Sequence, residues 1–292
     1  MWRHEVPESA FCVPQFRTRP RGVKDVAALR TNDVTMFSYT RSRPYSHGPR
    51  RGSLVIQGGG TTVPAIRDRF VKLAGGPRSN VVLIPSASLE YKSARELDKL
   101  KRFGFKHIFV LHTRDRSVAD SETFVAPLNE ASAVWISGGR QWRLIDAYLN
   151  TLTHKALKAI LDRGGVVGGT SAGASILGSY LVRGAPEGNH IVIAPGYEVG
   201  LGFLRNVAID QHVNSRARQD ALVLTVKTTP GLLGIGIDER TAIVVQRDRF
   251  EVVGNGNVII TDGTDHNGKY YYCISEGTEF DLKTRKILPC MA

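Results

Sequence analysis

One serine in this chain stands in a setting that activates serines. Gly169-Thr170-Ser171-Ala172-Gly173 fits the Gly-x-Ser-x-Gly turn, in which small neighbours let a sharp strand-to-helix bend hold a serine in a strained, exposed pose. The turn also sets Ser171 at a helix N-terminus. There, free backbone N–H groups and the positive end of the helix dipole favour the negative charge that develops in acyl transfer. A glycine-rich turn between strand and helix is also a way to cradle phosphate, or simply to pack tightly. The stretch lacks the lysine of a Gly-x-x-x-x-Gly-Lys-Ser/Thr loop, which counts against nucleotide phosphate. On this motif alone, catalytic serine and structural turn both stay open.

A serine hydroxyl needs a base within hydrogen-bond reach, and the base needs an acid to hold its tautomer. His212 and Glu239 each stand where an apolar strand gives way to a polar turn; His112, His190 and the histidines near the chain ends have no such setting. Single histidines and glutamates are ordinarily surface or core residues. What raises these two is position: Ser171, His212 and Glu239 each fall at the predicted end of a strand in one sheet. Their order, Ser then His then Glu, differs from the Ser, acid, His order of α/β-hydrolases.

The elements that must carry these residues are legible from Ser53 onward. Ser53–Gln57 is a short apolar run ending in Gly58-Gly59-Gly60, followed by helical spacing over Val63–Ala74. The unit recurs: a strand from Asn80, then a helix over Ser93–Phe103; a strand from His107, then a polar stretch; a strand over Ala133–Ser137, then helical spacing from Gln141 to Leu161. Strands alternating with helices imply a mostly parallel sheet covered by helices on both faces, with ligands at the carboxyl ends of the strands. Gly138-Gly139 precedes a helix much as Gly168-Gly169-Thr170-Ser171 does. If the two turns are neighbours, the Gly139 and Ala172 N–H groups form an oxyanion hole and the Gln141 amide faces the substrate; otherwise Gly138-Gly139 is a helix-entry turn.

Further along, a strand over Asn206–Asp210 leads into a helix predicted over Ser215–Leu224, capped by Asn214 or Ser215. Closely spaced strands from Leu232, Thr241, Arg249 and Asn257 suggest an antiparallel addition to the sheet, and residues from Ser275 read as a last strand and a tail. The fold class is therefore α/β: a mostly parallel sheet flanked by helices, with C-terminal antiparallel strands.

Composition bounds the rest. With 42% hydrophobic and 23% charged residues the 292-residue chain reads as an ordinary globular protein. Its net charge of +12 is unevenly placed: residues 1–52 hold ten Lys/Arg against four acids, +6 in all. We read 1–52 as a basic, largely irregular extension, packed on the body through Trp2, Phe11, Phe16 and Phe37, and 53–292 as a single domain. Arg41-Ser-Arg-Pro and Gly48-Pro-Arg-Arg offer contacts to an anionic partner. The charge comes without a nucleic-acid-binding motif, so a solvated tail is the simpler reading. Cys12, Cys273 and Cys290 have neither disulfide nor zinc spacing. No apolar run reaches the length of a signal peptide core or a membrane span, so the expected setting is cytoplasmic.

Four motifs in order carry a resemblance: Gly138-Gly-x-Gln, Gly168-Gly-Thr-Ser-Ala-Gly-Ala, Asp210-Gln-His-Val-x-x-Arg-x-Arg and Gly234-Ile-Gly-Ile-Asp-Glu-x-Thr-Ala. Together they resemble the cyanophycinase branch of the serine peptidase family that also contains dipeptidase E. The resemblance implies a class I glutamine-amidotransferase-like fold, a homodimer, and no metal or cofactor. It implies Ser171 as nucleophile, His212 as general base and Glu239 as the acid orienting it, with Gln141, Asp210, Gln211, Arg216 and Arg218 lining the substrate pocket. The implied substrate is cyanophycin, a poly-aspartate backbone with arginines on the β-carboxyls, cut to β-Asp-Arg. Short Asp-Xaa or isoaspartyl peptides are the alternative, and from another class an inactive scaffold binding nucleic acid through its basic leader. Two positions depart from the family pattern: Arg140 stands where Asn or Asp is usual, and Asp220-Ala221 where a further arginine is expected.

Overall fold

Short runs of valine, isoleucine and leucine, buried on both faces, make the centre of the molecule. The computed structural model describes residues 46–88 and 93–289. Strands β1 (Ser53–Gln57), β2 (Asn80–Ile84), β3 (His107–Val110), β4 (Ala133–Ile136) and β5 (Val166–Thr170) alternate with helices α1 (Pro64–Ala74), α2 (Ser93–Lys101), α3 (Arg116–Ala119), α4 (Glu122–Glu130), α5 (Gln141–Tyr148) and α6 (Leu152–Asp162). Then come α7 (Ala172–Ser175), β6 (Gly178–Tyr180), β7 (Leu204–Gln211), α8 (Gln219–Thr228) and β8 (Leu233–Ile237). The described chain closes with β9 (Thr241–Gln246), β10 (Arg249–Gly254), β11 (Val258–Thr261), β12 (Tyr272–Ile274), β13 (Glu279–Asp281) and β14 (Lys286–Ile287).

The expected α/β class holds, with one correction: the strands form two sheets rather than one. Among the described residues the larger has nine strands in the order β14-β13-β10-β9-β1-β5-β4-β2-β3, and the smaller five, β12-β11-β8-β7-β6. In the first, β1, β5, β4, β2 and β3 are parallel, and β9, β10, β13 and β14 extend the β1 edge antiparallel. In the second, β6, β7 and β8 are parallel, with β11 and β12 added antiparallel.

Alternation of side chains across each strand explains the layering. Leu54, Ile56, Val134, Ile136 and Val167 point to a core shared with Val207, Ile209, Ile235 and Ile237 of the smaller sheet. Val55, Val81, Ala133 and Trp135 point the other way, onto Ile66 and Phe70 of α1 and Leu100 of α2. The Gly-Ile-Gly-Ile run of β8 follows the same rule. Its isoleucines enter the shared core, and its glycines leave room for α8, since a Cβ on Gly234 or Gly236 would press into Leu222.

Local predictions differ in three places. The helix expected over Gln141–Leu161 is two, because Asn150 takes a left-handed φ of 60° and Thr151 caps α6 by accepting from the His154 N–H. These are chain-reversing and N-cap residue types, so the break was encoded. The polar stretch after β3 holds α3 and α4, capped by Asp115 and Ser121. The helix predicted from Ser215 starts at Gln219 instead, because residues 213–217 turn tightly around His212 and Asp238.

Of the predicted extension, the described part is not loose. The Gly48 N–H donates to Arg247 O (2.8 Å), the His47 N–H to Asp248 Oδ1 (2.7 Å) and the Arg205 N–H to His47 O (2.8 Å). The aromatic residues read as packing this extension, and Arg41-Ser-Arg-Pro, lie outside the described residues. No helix among the described residues is long and apolar enough to cross a membrane.

Candidate active site

Ser171 sits between β5 and α7 with φ 55° and ψ −116°. A non-glycine residue pays of order 1–3 kcal/mol to hold such a backbone, and does so where the surroundings over-determine it. Here they do. Gly169 and Gly173 approach so closely that a Cβ on the first would strike the carbonyl of the second, and a Cβ on Gly173 would strike that of Ile136 on β4. Bulkier residues would push α7 off the sheet and open the turn.

Two sheets meet at this point. The His212 Nε2 lies 3.0 Å from Ser171 Oγ, and His212 Nδ1 lies 2.6 Å from Glu239 Oε1. An Nδ1–H donating to the carboxylate leaves Nε2 free to accept from the serine hydroxyl. The expectation that all three residues end strands of one sheet is corrected: Ser171 follows β5 of the larger sheet, whereas His212 and Glu239 follow β7 and β8 of the smaller.

What holds the two halves in register is the Gly58-Gly59-Gly60 loop after β1. The Ser171 N–H donates to Gln57 O (3.1 Å), the His212 N–H to Gly58 O (2.9 Å), and the Arg240 N–H, next to Glu239, to Gly59 O (2.9 Å). Gln57, fully buried, stiffens the loop by donating to Gly59 O (2.9 Å) while accepting from Thr62 Oγ1 (2.8 Å). Gly59 lies flat against the His212 ring at a φ of 128°, where a Cβ would enter the imidazole. Sequence reasoning saw only a glycine turn at a strand end. A polar residue closing an apolar strand just before three glycines was the available signal.

Burial is the main influence on His212 and holds its pKa below the ordinary imidazole value of about 6.5, with the Arg216 cation adding to the effect and Glu239 opposing it. The hydrogen bond from His212 holds Glu239 below the usual carboxylate range. At neutral pH the pair is a neutral imidazole beside a carboxylate, the state in which a base can act.

The two glycine turns, whose adjacency the sequence left open, are neighbours. A Cβ built on Gly138 would stand 3.0 Å from that of Ser171. Gly139, at φ 146°, presses against the Ala87 carbonyl, so the turn admits no side chain there. The Ala172 N–H opens α7 and has no acceptor within its own helix. A cleft of about 630 Å³ opens onto Ser171 and His212, walled by Gly138, Gly139, Trp135 and residues of α1 and α2.

None of the residues expected to line a substrate pocket lines this cleft. Gln141 is fully buried, its amide 3.5 Å from Val182 O. Asp210 is also fully buried, and its carboxylate is taken: Arg183 Nε donates to both oxygens (3.1 and 3.0 Å), and Arg218 Nη1 to Oδ1 (3.2 Å). Arg218 donates as well to the side chain (3.1 Å) and backbone (3.0 Å) of Gln211. Burial brings its pKa down to about 10, so it stays charged at neutral pH. Arg216 is exposed beside the triad. Arg140 spans to the carbonyls of Ala185 (2.8 Å) and Pro186 (2.9 Å), a loop contact rather than a free charge. Arg183 was missed; a lone arginine after Leu181-Val182 and before Gly184 needed a buried acid and was the signal.

Residues 54–253 match peptidase family S51. The chain belongs to that family. A cyanophycinase of Geminocystis herdmanii is 34% identical over 223 residues, 73% of this chain and 81% of that protein. One from Nostoc sp. is 31% identical over 76% of this chain and 82% of that one, and one from Synechococcus elongatus is 29% identical over 89% and 88%. The solved structure of a peptidase from an acI-B1 Actinobacterium superposes with a TM-score of 0.64 at 25% identity, covering 80% of this chain and 98% of that one. A putative peptidase E from Listeria monocytogenes shares the fold at 15% identity and a TM-score of 0.54, covering 70% and 100%. The protein is a serine-type peptidase of family S51, similar in sequence to cyanophycinases.

Proposed function

We propose that this peptidase hydrolyses cyanophycin to β-Asp-Arg through an acyl-enzyme. The observation that carries the reading is the unbroken chain from Ser171 Oγ through both His212 nitrogens to Glu239, at 3.0 and 2.6 Å. In this mechanism Ser171 Oγ attacks the carbonyl carbon of an aspartyl residue as its proton passes to His212 Nε2. The Gly139 and Ala172 N–H groups receive the oxyanion. His212 then returns the proton to the departing amine, the C–N bond breaks, and a water deprotonated by the same imidazole releases the acyl group. Glu239 stabilises the imidazolium at each turn.

Purified cyanophycin incubated with the enzyme, its products identified by mass, tests the substrate. Release of β-Asp-Arg is expected. Cleavage of plain Asp-Xaa or isoaspartyl dipeptides, with the polymer untouched, would replace this reading with that of a short-peptide hydrolase.

The base sets a pH dependence. General-base action requires neutral His212, so kcat/KM climbs as pH rises through the His212 pKa and is flat above it. Because that pKa is held below the ordinary value, mainly by burial, the midpoint of the acid limb lies below pH 6.5. Arg216→Gln removes a cation that disfavours imidazolium and moves the midpoint upward. A limb centred at or above pH 7, or one that Arg216→Gln leaves in place, would contradict the assignment of His212 and its surroundings.

A further inference from the structure

Three cations stand along the wall of the cleft that opens on Ser171, and the triad uses none of them. Arg67 comes from α1, Lys99 from α2 and Arg102 from the turn that follows it; Glu96 is the acid on the same wall. The excess there is positive, three against one. Among the described residues Arg67 pairs with the exposed Asp68 at 2.8 Å, and the exposed Lys99 ammonium with the half-buried Glu96 at 2.6 Å. The Arg67–Asp68 pair, exposed on both sides, contributes little and exchanges readily, and the Lys99 head remains open to solvent. The Arg102 guanidinium has neither a hydrogen bond nor an ion pair among the described residues.

The arginines of the smaller sheet offer a contrast. Arg183 and Arg218 are nearly buried and locked on Asp210. To bind a carboxylate of the substrate they would have to abandon a buried acid, which costs several kcal/mol. Cations facing open solvent beside the nucleophile carry no such cost. From this we propose that Arg67, Lys99 and Arg102 form a carboxylate subsite, which takes the free carboxylates of an acidic peptide chain on one side of the bond that Ser171 attacks. In a polymer whose arginines are joined through their α-amino groups, each arginine keeps its own carboxylate, so consecutive units present a row of them. Guanidiniums bind carboxylates in a bidentate fork, and Lys99 adds a point charge. The inference rests on the reading of Ser171 as the nucleophile.

Steady-state kinetics on cyanophycin, with Arg67→Gln, Arg102→Gln and the double variant, test it. The double variant is expected to raise KM roughly ten-fold or more while kcat stays within about two-fold. Arg67→Lys with Arg102→Lys should recover part of the loss. Esterifying the polymer's carboxylates should raise the parent's KM in the same way and leave the double variant nearly indifferent. A double variant with the parent's KM, or one equally sensitive to esterification, would overturn the subsite. A parent with no activity on cyanophycin would overturn the proposed substrate instead. In that case binding of poly-L-aspartate to Ser171→Ala protein reads the cleft without turnover: weaker binding when both arginines are lost sustains the subsite, and equal binding removes it.

Discussion

Replacing Ser171 with alanine should lower kcat by on the order of 10⁴–10⁶, with the folded protein intact. The oxygen that forms the acyl bond is gone, and among the described residues no other hydroxyl bonds to His212 Nε2. His212→Ala should cost a similar factor, since residues that act as one unit lose their effect together. Glu239→Gln should cost less, because that carboxylate is 42% exposed and water can stabilise imidazolium in its stead. Thermal melts separate chemistry from folding. Alanine keeps the Cβ at φ 55° and deletes only the part-buried hydrogen bond to His212, so Tm should move by no more than a few degrees. Full activity in Ser171→Ala on any peptide the parent cleaves would end the acyl-enzyme mechanism.

That the serine could be found in the sequence at all follows from steric necessity. Gly169 and Gly173 have no room for a Cβ, and Ser171 must stand in a backbone conformation that small neighbours permit. Such constraints leave fixed residue types at fixed spacing, and so do the strand ends at His212 and Glu239. The parallel part of the larger sheet was equally open to reading, because each of its strands is a continuous apolar run followed by a helix. The second sheet was not. A strand's own pattern records that it is buried, not which neighbours it pairs with, and β8 joins β7 in one sheet while β9, four residues later, joins β1 in the other. The partners of the pocket arginines were hidden for a related reason. An arginine that pairs with a buried acid and one that faces an open cleft have the same letter, and only tertiary contact tells Arg218 from Arg102.

Removing Asp210 gives the sharpest measure of that difference. Its carboxylate, with no exposed surface, is the shared partner of Arg183 and Arg218, each less than 10% exposed. Burial holds the Asp210 carboxyl above its ordinary value, with the two guanidiniums opposing the shift. Asp210→Ala leaves two buried cations facing each other without an anion, a loss of about 3–5 kcal/mol. For a domain of this size that corresponds to a drop in Tm of roughly 6–20 °C. Asp210→Asn, which keeps one oxygen as acceptor but no charge, should fall between that variant and the parent. A substrate-binding acid would behave in the opposite way, leaving Tm unchanged and raising KM. Because Asp210 lies near the end of β7, two residues before His212, the destabilised variant should also lose kcat. Cooling should restore part of that activity as the end of β7 regains its place.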